Sequence, residues 1–203
     1  MNLIMDNIIY RQIDINTFSD ENLNDIKEVQ SDVLADDGYD DDFWYEIITT
    51  ATSSYIAYEQ KNNKQIPVGY IIDTYLPEEG DYYIIASFGV KKDYQNKKIG
   101  TTLLNLCLEG LQEKIKLDKK IGINRQIKLQ VRFSNSAGKR FYERNGFYCN
   151  QILQYYYGKL LLEFDNDTDS NDSSDDYNID DMFEHGYEMI YTDNPSERYS
   201  HIK

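Results

Sequence analysis

Tyr82-Tyr83-Ile84-Ile85-Ala86-Ser87-Phe88-Gly89-Val90, then Lys91-Lys92-Asp93-Tyr94-Gln95-Asn96-Lys97-Lys98-Ile99-Gly100-Thr101-Thr102, then Leu103-Leu104-Asn105-Leu106 is the stretch on which the reading of this chain turns. An apolar run, a short loop rich in lysine and an amphipathic run predict a strand, a loop and a helix. Such a helix start is suited to phosphate. Amides left without partners there point at any anion placed before them, and the helix dipole adds roughly 0.3–1 kcal/mol. Gly100 lets the backbone approach closely because it has no Cβ. Lys91, Lys92, Lys97 and Lys98 gather at this one place in a chain whose formal net charge is −15.

Outward toward the N-terminus, residues 8–14 predict a strand. A helix follows, capped by Ser19 or Asp20, with Leu23, Ile26, Val29, Val33 and Leu34 on one stripe. The acidic turn from Asp36 to Asp42 leads into a short helix at Phe43–Ile48. Strands at Ser54–Glu59 and Val68–Tyr75 are joined by the polar hairpin Gln60–Lys64, so three successive antiparallel strands lead up to Val90. Downstream, the helix carries Leu103, Leu104, Cys107, Leu108, Leu111 and Ile115 and ends near Lys116–Gly122. Residues 127–133 alternate with period two, as a strand with one buried face does. Asn135 and Ser136 begin a short helix that Asn145-Gly146 closes. Phe147–Leu162 and Gly186–Tyr191 predict the last two strands. Between them, Asp165–Asp181 has almost nothing to bury.

At 203 residues the chain predicts one domain over 1–192, with the acidic insertion at 165–181 and a polar tail at 193–203. The acid excess argues against nucleic acid, whose recognition needs a basic face, and favours cationic partners. Two cysteines, Cys107 and Cys149, give neither a disulfide framework nor metal-ligand spacing, and no metal is expected. No segment reads as a signal peptide or a membrane span, so a cytoplasmic protein without membrane attachment, monomeric or weakly dimeric, is expected. His185 and His201, the only histidines, read as surface residues.

The order of elements and two motifs together resemble the Gcn5-related N-acetyltransferases. Gln95-Asn96-Lys97-Lys98-Ile99-Gly100 is similar to that family's acetyl-CoA loop, Q/R-x-x-G-x-G/A. Asn135 through Phe147 is similar to its second signature. The resemblance implies a mixed, mostly antiparallel sheet of about seven strands, splayed between the fourth and fifth, flanked by about four helices, with acetyl-CoA as co-substrate in the opening. It implies that Phe88 and Val90 pair with the pantetheine arm and that Gln95, Asn96, Lys97, Lys98, Gly100 and Thr101 cradle the pyrophosphate. Asn135 would touch the cofactor and Tyr142 would lie by the sulfur. Lys98 stands where the loop signature has its first glycine. If that position needs positive φ, lysine there costs roughly 1–2 kcal/mol.

Within the family, the N-terminal acetyltransferases of the Naa50 and RimI type are the nearest likeness. That likeness implies Tyr39, Tyr156 and Tyr157 as acceptor contacts. Two positions depart from it: Gln130 and Ile84 fall where Naa50-like enzymes carry a catalytic histidine and tyrosine. Tyr82 or Tyr83, an acid of the Glu78–Asp81 turn, or an amine that arrives already neutral are the alternatives for proton removal. Tyr142 is the expected general acid, since a phenol carries a proton to give without being charged. The expected reaction is acetyl transfer to a primary amine, a protein or peptide N-terminus before a polyamine or other small amine. A non-catalytic acyl-CoA-binding module is the reading from another class.

Overall fold

The computed structural model describes residues 2–5, 7–33, 39–75, 77, 80–158 and 183–194. The calls on Asp36–Gly38, Glu78, Glu79, Asp165–Asp181 and His201 lie outside them. The chain forms two compact units, residues 1–129 and 130–203.

In the first unit, β1 (Asn2–Met5) and β2 (Ile8–Ile13) form a hairpin that turns at Asn7, whose φ is 64°. β3 (Ser54–Lys61) and β4 (Lys64–Thr74) form a second hairpin through Asn62 and Asn63, both left-handed. Asparagine tolerates that region because its amide can bond its own backbone, which is why paired asparagines make tight hairpins. β5 (Tyr82–Val90) adds antiparallel to β4, and β6 (Gln126–Arg132), which runs on into the second unit, adds parallel to β5. The strand order is β1-β2-β3-β4-β5-β6.

Helices α1 (Asp20–Val33), α2 (Asp41–Thr49) and α3 (Ile99–Lys120) complete this unit. Ser19 Oγ accepts from Asn22 N while Asn22 Oδ1 accepts from Ser19 N, a reciprocal cap at the start of α1. Asp40 caps α2 by accepting from Phe43 N at 2.8 Å. That part of the acidic turn is therefore a helix cap. Leu23, Ile26 and Val29 of α1 and Trp44, Ile47 and Ile48 of α2 join Ile56, Tyr58, Tyr70 and Ile72 in one buried cluster.

In the second unit, α4 (Ser136–Arg144) follows the end of β6, and β7 (Phe147–Gly158) pairs antiparallel with β8 (Phe183–Tyr191). The order is β6-β8-β7. Gly146, at φ 100°, turns the chain out of α4 as the Asn-Gly pair predicts.

The mixed, mostly antiparallel α/β sheet and the four helices agree with expectation. Among the described residues there are eight strands because β1 was not anticipated. Four residues without alternation carry no strand signal of their own; β1 exists through its pairing with β2. Counted with β1, the parallel pair is the fifth and sixth strands. Its ladder holds three pairs, Tyr82 with Gln126, Tyr83 with Ile127 and Ile84 with Lys128. β5 continues past that ladder to Val90. Among the described residues, no helix is long and apolar enough to cross a membrane.

Candidate active site

The free-running half of β5 contains a bulge. Ile72 pairs with Ser87 but Asp73 pairs with Ile85, leaving Ala86 as the extra residue. After Val90 the chain makes a short 3-10 turn, Lys92–Tyr94, and enters α3 through Lys98. Lys98 has φ 64° and ψ −1° and lends α3 no side-chain cap. The first intrahelical bond runs from Thr102 N to Lys98 O at 2.9 Å, so the amides of Ile99, Gly100 and Thr101 precede it. An uncapped start on a 22-residue helix, entered through a left-handed residue, fits a bound anion. Phosphates of acetyl-CoA match the donors present.

The loop is staked down on its own side of the fold. Gln95 Nε2 donates to the Val90 carbonyl at 3.1 Å, Tyr94 OH donates to Glu59 at 2.8 Å, and Lys97 Nζ lies 5.0 Å from the Tyr94 ring centre. One lysine side chain is not where charge counting suggests, and the backbone of the next is tied to the same helix. Lys91 Nζ donates to Glu28 of α1 at 2.6 Å, and the Lys92 backbone N donates to Asp32 at 2.6 Å. Those contacts fasten the loop to α1, which corrects the picture of four lysines facing one anion. Asn96 is left-handed, at φ 60°.

Of the tyrosines read as proton acceptors, Tyr83 is committed elsewhere. Its hydroxyl donates to Asp118 at 2.8 Å, and burial followed by that bond pushes its pKa up to about 12. Arg125 ties the same knot, with NH1 at 2.7 Å from Asp118 and NH2 donating to the Tyr75 hydroxyl at 3.0 Å. Burial works to raise the Asp118 carboxyl, but the bonds from Arg125 and Tyr83 outweigh it and hold it below the usual range. A phenol pushed that high does not take up a proton at neutral pH, so the geometry argues against Tyr83 as a base. Tyr82, partly exposed, has the Lys128 ammonium 4.2 Å from its ring centre. Ile84 is buried. The Tyr75, Asp118 and Arg125 network carried no motif, because its members are isolated in sequence.

Tyr39 is partly exposed, stacked on Phe43 at 4.0 Å and edge-on to Trp44 at 5.7 Å. Trp44 in turn meets Tyr70, whose hydroxyl shares a hydrogen bond with Ser87 of β5 at 3.0 Å.

In the second unit, Asn135 Oδ1 caps α4 by accepting from Gly138 N at 2.8 Å. Gly138 permits this, since a Cβ there would come within 2.7 Å of the Asn135 side chain. One turn on, the half-buried Tyr142 ring lies 5.4 Å from Phe141 and 5.6 Å from Phe147, centre to centre. Tyr156 is exposed and edge-on to Tyr157 at 5.0 Å, and the Arg132 guanidinium lies 4.5 Å from the Tyr157 ring centre. Glu184 accepts from Ser134 N at 2.5 Å and pairs with Arg132 at 3.5 Å. Burial raises its carboxyl, and the bonds from Ser134 together with the Arg132 charge overcome this and hold it low. His185, read as a surface residue, is partly exposed and also a partner: Tyr155 N donates to its Nδ1 at 3.0 Å.

The profile of the Acetyltransferase (GNAT) family matches residues 20–147, a span that runs from α1 through the loop to α4, and the chain belongs to that family. No curated protein is matched by the sequence. Among solved structures, Arabidopsis thaliana Naa50 in complex with the bisubstrate analogue CoA-Ac-MVNAL is similar at 21% identity and TM-score 0.61, over 92% of this chain and 99% of that one. The ribosomal-protein-S18-alanine N-acetyltransferase from Escherichia coli is similar at 18% identity and TM-score 0.57, over 91% and 92%. Arabidopsis thaliana NAA60 in complex with acetyl-CoA is similar at 18% identity and TM-score 0.61, over 91% and 98%. At these identities the likeness is one of fold.

Proposed function

We propose that the protein transfers the acetyl group of acetyl-CoA to a primary amine, the α-amine of a protein or peptide N-terminus ahead of polyamines. The observation that carries this reading is the α3 start: left-handed Lys98, no capping side chain, and the amides of Ile99, Gly100 and Thr101 ahead of the first helical bond. Family membership supports the reaction class, and relatives of similar fold solved with a peptide-bearing bisubstrate analogue support the acceptor.

In this reading Gln95, Asn96, Lys97, Lys98, Gly100 and Thr101 hold the pyrophosphate, with Gln95 acting through the order it gives the loop at Val90. Phe88 and Val90 run beside the pantetheine arm. Tyr39, Tyr156 and Tyr157 contact the acceptor. The amine nitrogen attacks the thioester carbonyl, the new C–N bond forms as the C–S bond breaks, and Tyr142 gives its phenolic proton to the leaving thiolate. Asn135 sets the first turn of the helix that carries Tyr142 and contributes its amide to the cofactor. With Tyr83 engaged by Asp118, the proton of the amine leaves to solvent, directly or through the Tyr82 hydroxyl, which passes its own proton on as it takes one up, and solvent returns a proton to the Tyr142 phenolate. An α-amine, of pKa about 8, presents more free base at neutral pH than a lysine near 10.4.

Thermal shift with acetyl-CoA and thiol release with peptides or spermidine test this together. Stabilisation plus peptide-dependent release is the expected result. Stabilisation without release on any amine overturns catalysis in favour of an acyl-CoA-binding module, which Gln130 and Ile84 would suit; release with spermidine alone overturns the peptide acceptor. Tyr142→Phe should lose about 10²–10⁴-fold in kcat, the range for a positioned acid. A loss under tenfold rejects that role.

A further inference from the structure

Tyr155 stands at the crest of a bulge in β7. Leu153 pairs with Gly186 and Tyr157 with Glu184, so Gln154, Tyr155 and Tyr156 together face the single residue His185. The φ of Tyr155 is 54°, a left-handed conformation that a bulky side chain keeps only where its surroundings impose it. An amide turned out of a ladder needs another acceptor. His185 supplies it, taking the Tyr155 N–H on Nδ1 at 3.0 Å.

The backbone carbonyl of His185 accepts from Phe133 N at 3.0 Å, and its ring meets those of Tyr155 at 4.9 Å and Phe133 at 6.1 Å, edge-on to each. On the next residue, Gly186 lacks the Cβ that would come within 2.9 Å of the Tyr157 ring. Because Nδ1 accepts, the ring proton is on Nε2. A second proton, on Nδ1, would set a donor against the donor of Tyr155. The charged and titratable groups around the imidazole are Glu184 and Tyr187 on β8, Arg132 on β6, Tyr155 and Tyr157 on β7, and Lys139 of α4 over the Tyr187 ring. Arg132 and Glu184 pair with one another.

We propose that His185 is a positioning residue of the acceptor site: its Nδ1, by accepting from Tyr155 N, holds the 154–156 bulge, and through it Tyr156 and Tyr157, in the form that receives the amine. This rests on the reading of Tyr156 and Tyr157 as acceptor contacts. Asparagine offers the control, since its Oδ1 can accept the same amide at a similar reach and does not titrate.

The test uses the full chain with ¹⁵N-labelled histidine and with a peptide acceptor, comparing wild type, His185→Phe and His185→Asn. Imidazole nitrogen shifts at pH about 8 should show the Nε2–H tautomer for the signal that His185→Phe removes. Acceptor KM should rise about fivefold to tenfold in His185→Phe, the scale of one hydrogen bond, with kcat and acetyl-CoA KM within twofold, and His185→Asn should stay within about twofold of wild type. An Nδ1–H tautomer, a fall in kcat or a rise in acetyl-CoA KM matching the rise in acceptor KM, or His185→Asn as impaired as His185→Phe overturns the proposal. Wild-type turnover reports on the acetyltransferase reading alone, and the nitrogen shifts and the variant comparison report on His185.

Discussion

Replacing Lys98 with glycine isolates the conflict built into the cofactor loop. At φ 64° and ψ −1° the lysine backbone occupies the left-handed region, which costs a residue with a Cβ about 1–2 kcal/mol. Glycine adopts it freely, but its looser unfolded chain gives back about 0.4–1 kcal/mol. The lysine side chain makes no cap bond that would be lost. Removing a cation from the positive end of a helix dipole adds about 0.3 kcal/mol. The expected balance is a gain of about 1 kcal/mol for Lys98→Gly in the protein without ligand, or about 2–4 °C in Tm for a chain of this size. Acetyl-CoA affinity should move the other way, weakening about threefold to tenfold as one ammonium near the phosphates is lost. Lys98→Ala removes the same charge and keeps the strain, so it should share the loss of affinity without the gain in stability. Urea unfolding with and without acetyl-CoA, and calorimetric titration, read both quantities. If Lys98→Gly is no more stable than Lys98→Ala, the backbone argument is refuted.

Asp73 is fully buried and accepts from Ser53 N at 2.8 Å, Thr52 N at 3.1 Å, Thr52 Oγ1 at 3.1 Å and Ser54 Oγ at 2.7 Å. Asp73→Ala strands those donors and should cost about 3 kcal/mol or more in urea unfolding, and a loss under about 1 kcal/mol would show the turn re-solvating. Tyr83→Phe removes a bond to Asp118 and should lower stability by about 1 kcal/mol while kcat stays within a few-fold; a hundredfold fall in kcat would make Tyr83 the base after all. Asp118 is held below the usual carboxylate range, so the unfolded chain takes up that proton first. Its contribution is then full above about pH 4 and fades as pH falls through the lower folded value. Asp118→Asn should accordingly be less stable than wild type at neutral pH, with the gap narrowing on acidification. A gap that widens toward acid would reverse the sign and reject the assignment.

What was legible in the sequence is what lies within one element or at its ends. An apolar run placed β5, periodicity placed α3 and β6, and the caps at Ser19, Asn135 and Gly146 fell where residue chemistry puts them. What the sequence left hidden depends on partners distant along the chain. Lys91 and Glu28 are 63 positions apart, and Lys92 and Asp32 are 60, so no local pattern shows that the loop is tied to α1 or that the Lys91 ammonium answers Glu28 instead of an anion. Tyr83 looked available for the same reason: Asp118 is 35 positions away among lysines. The bulge in β7 was hidden differently. A run of three tyrosines reads as good strand, and side-chain chemistry gives no sign that the backbone leaves the ladder there.

The left-handed residues tie these strands of argument together. Among the described residues other than glycine, those at positive φ are Asn7, Asn62, Asn63, Asn96, Lys98 and Tyr155. Asparagine visits this region readily, and three of the four asparagines simply turn hairpins. Lys98 and Tyr155 have no such excuse. One opens the helix proposed to face the cofactor phosphates, and the other stands beside the tyrosines proposed to contact the acceptor. Backbone strain that a hairpin would shed by drift to Asn or Gly persists where a site uses the conformation together with the side chain. Lys98 keeps a charge that glycine cannot supply, and Tyr155 keeps a ring against His185 that asparagine cannot. The two positions most costly to the backbone are therefore those at which donor and acceptor recognition should respond most sharply to substitution.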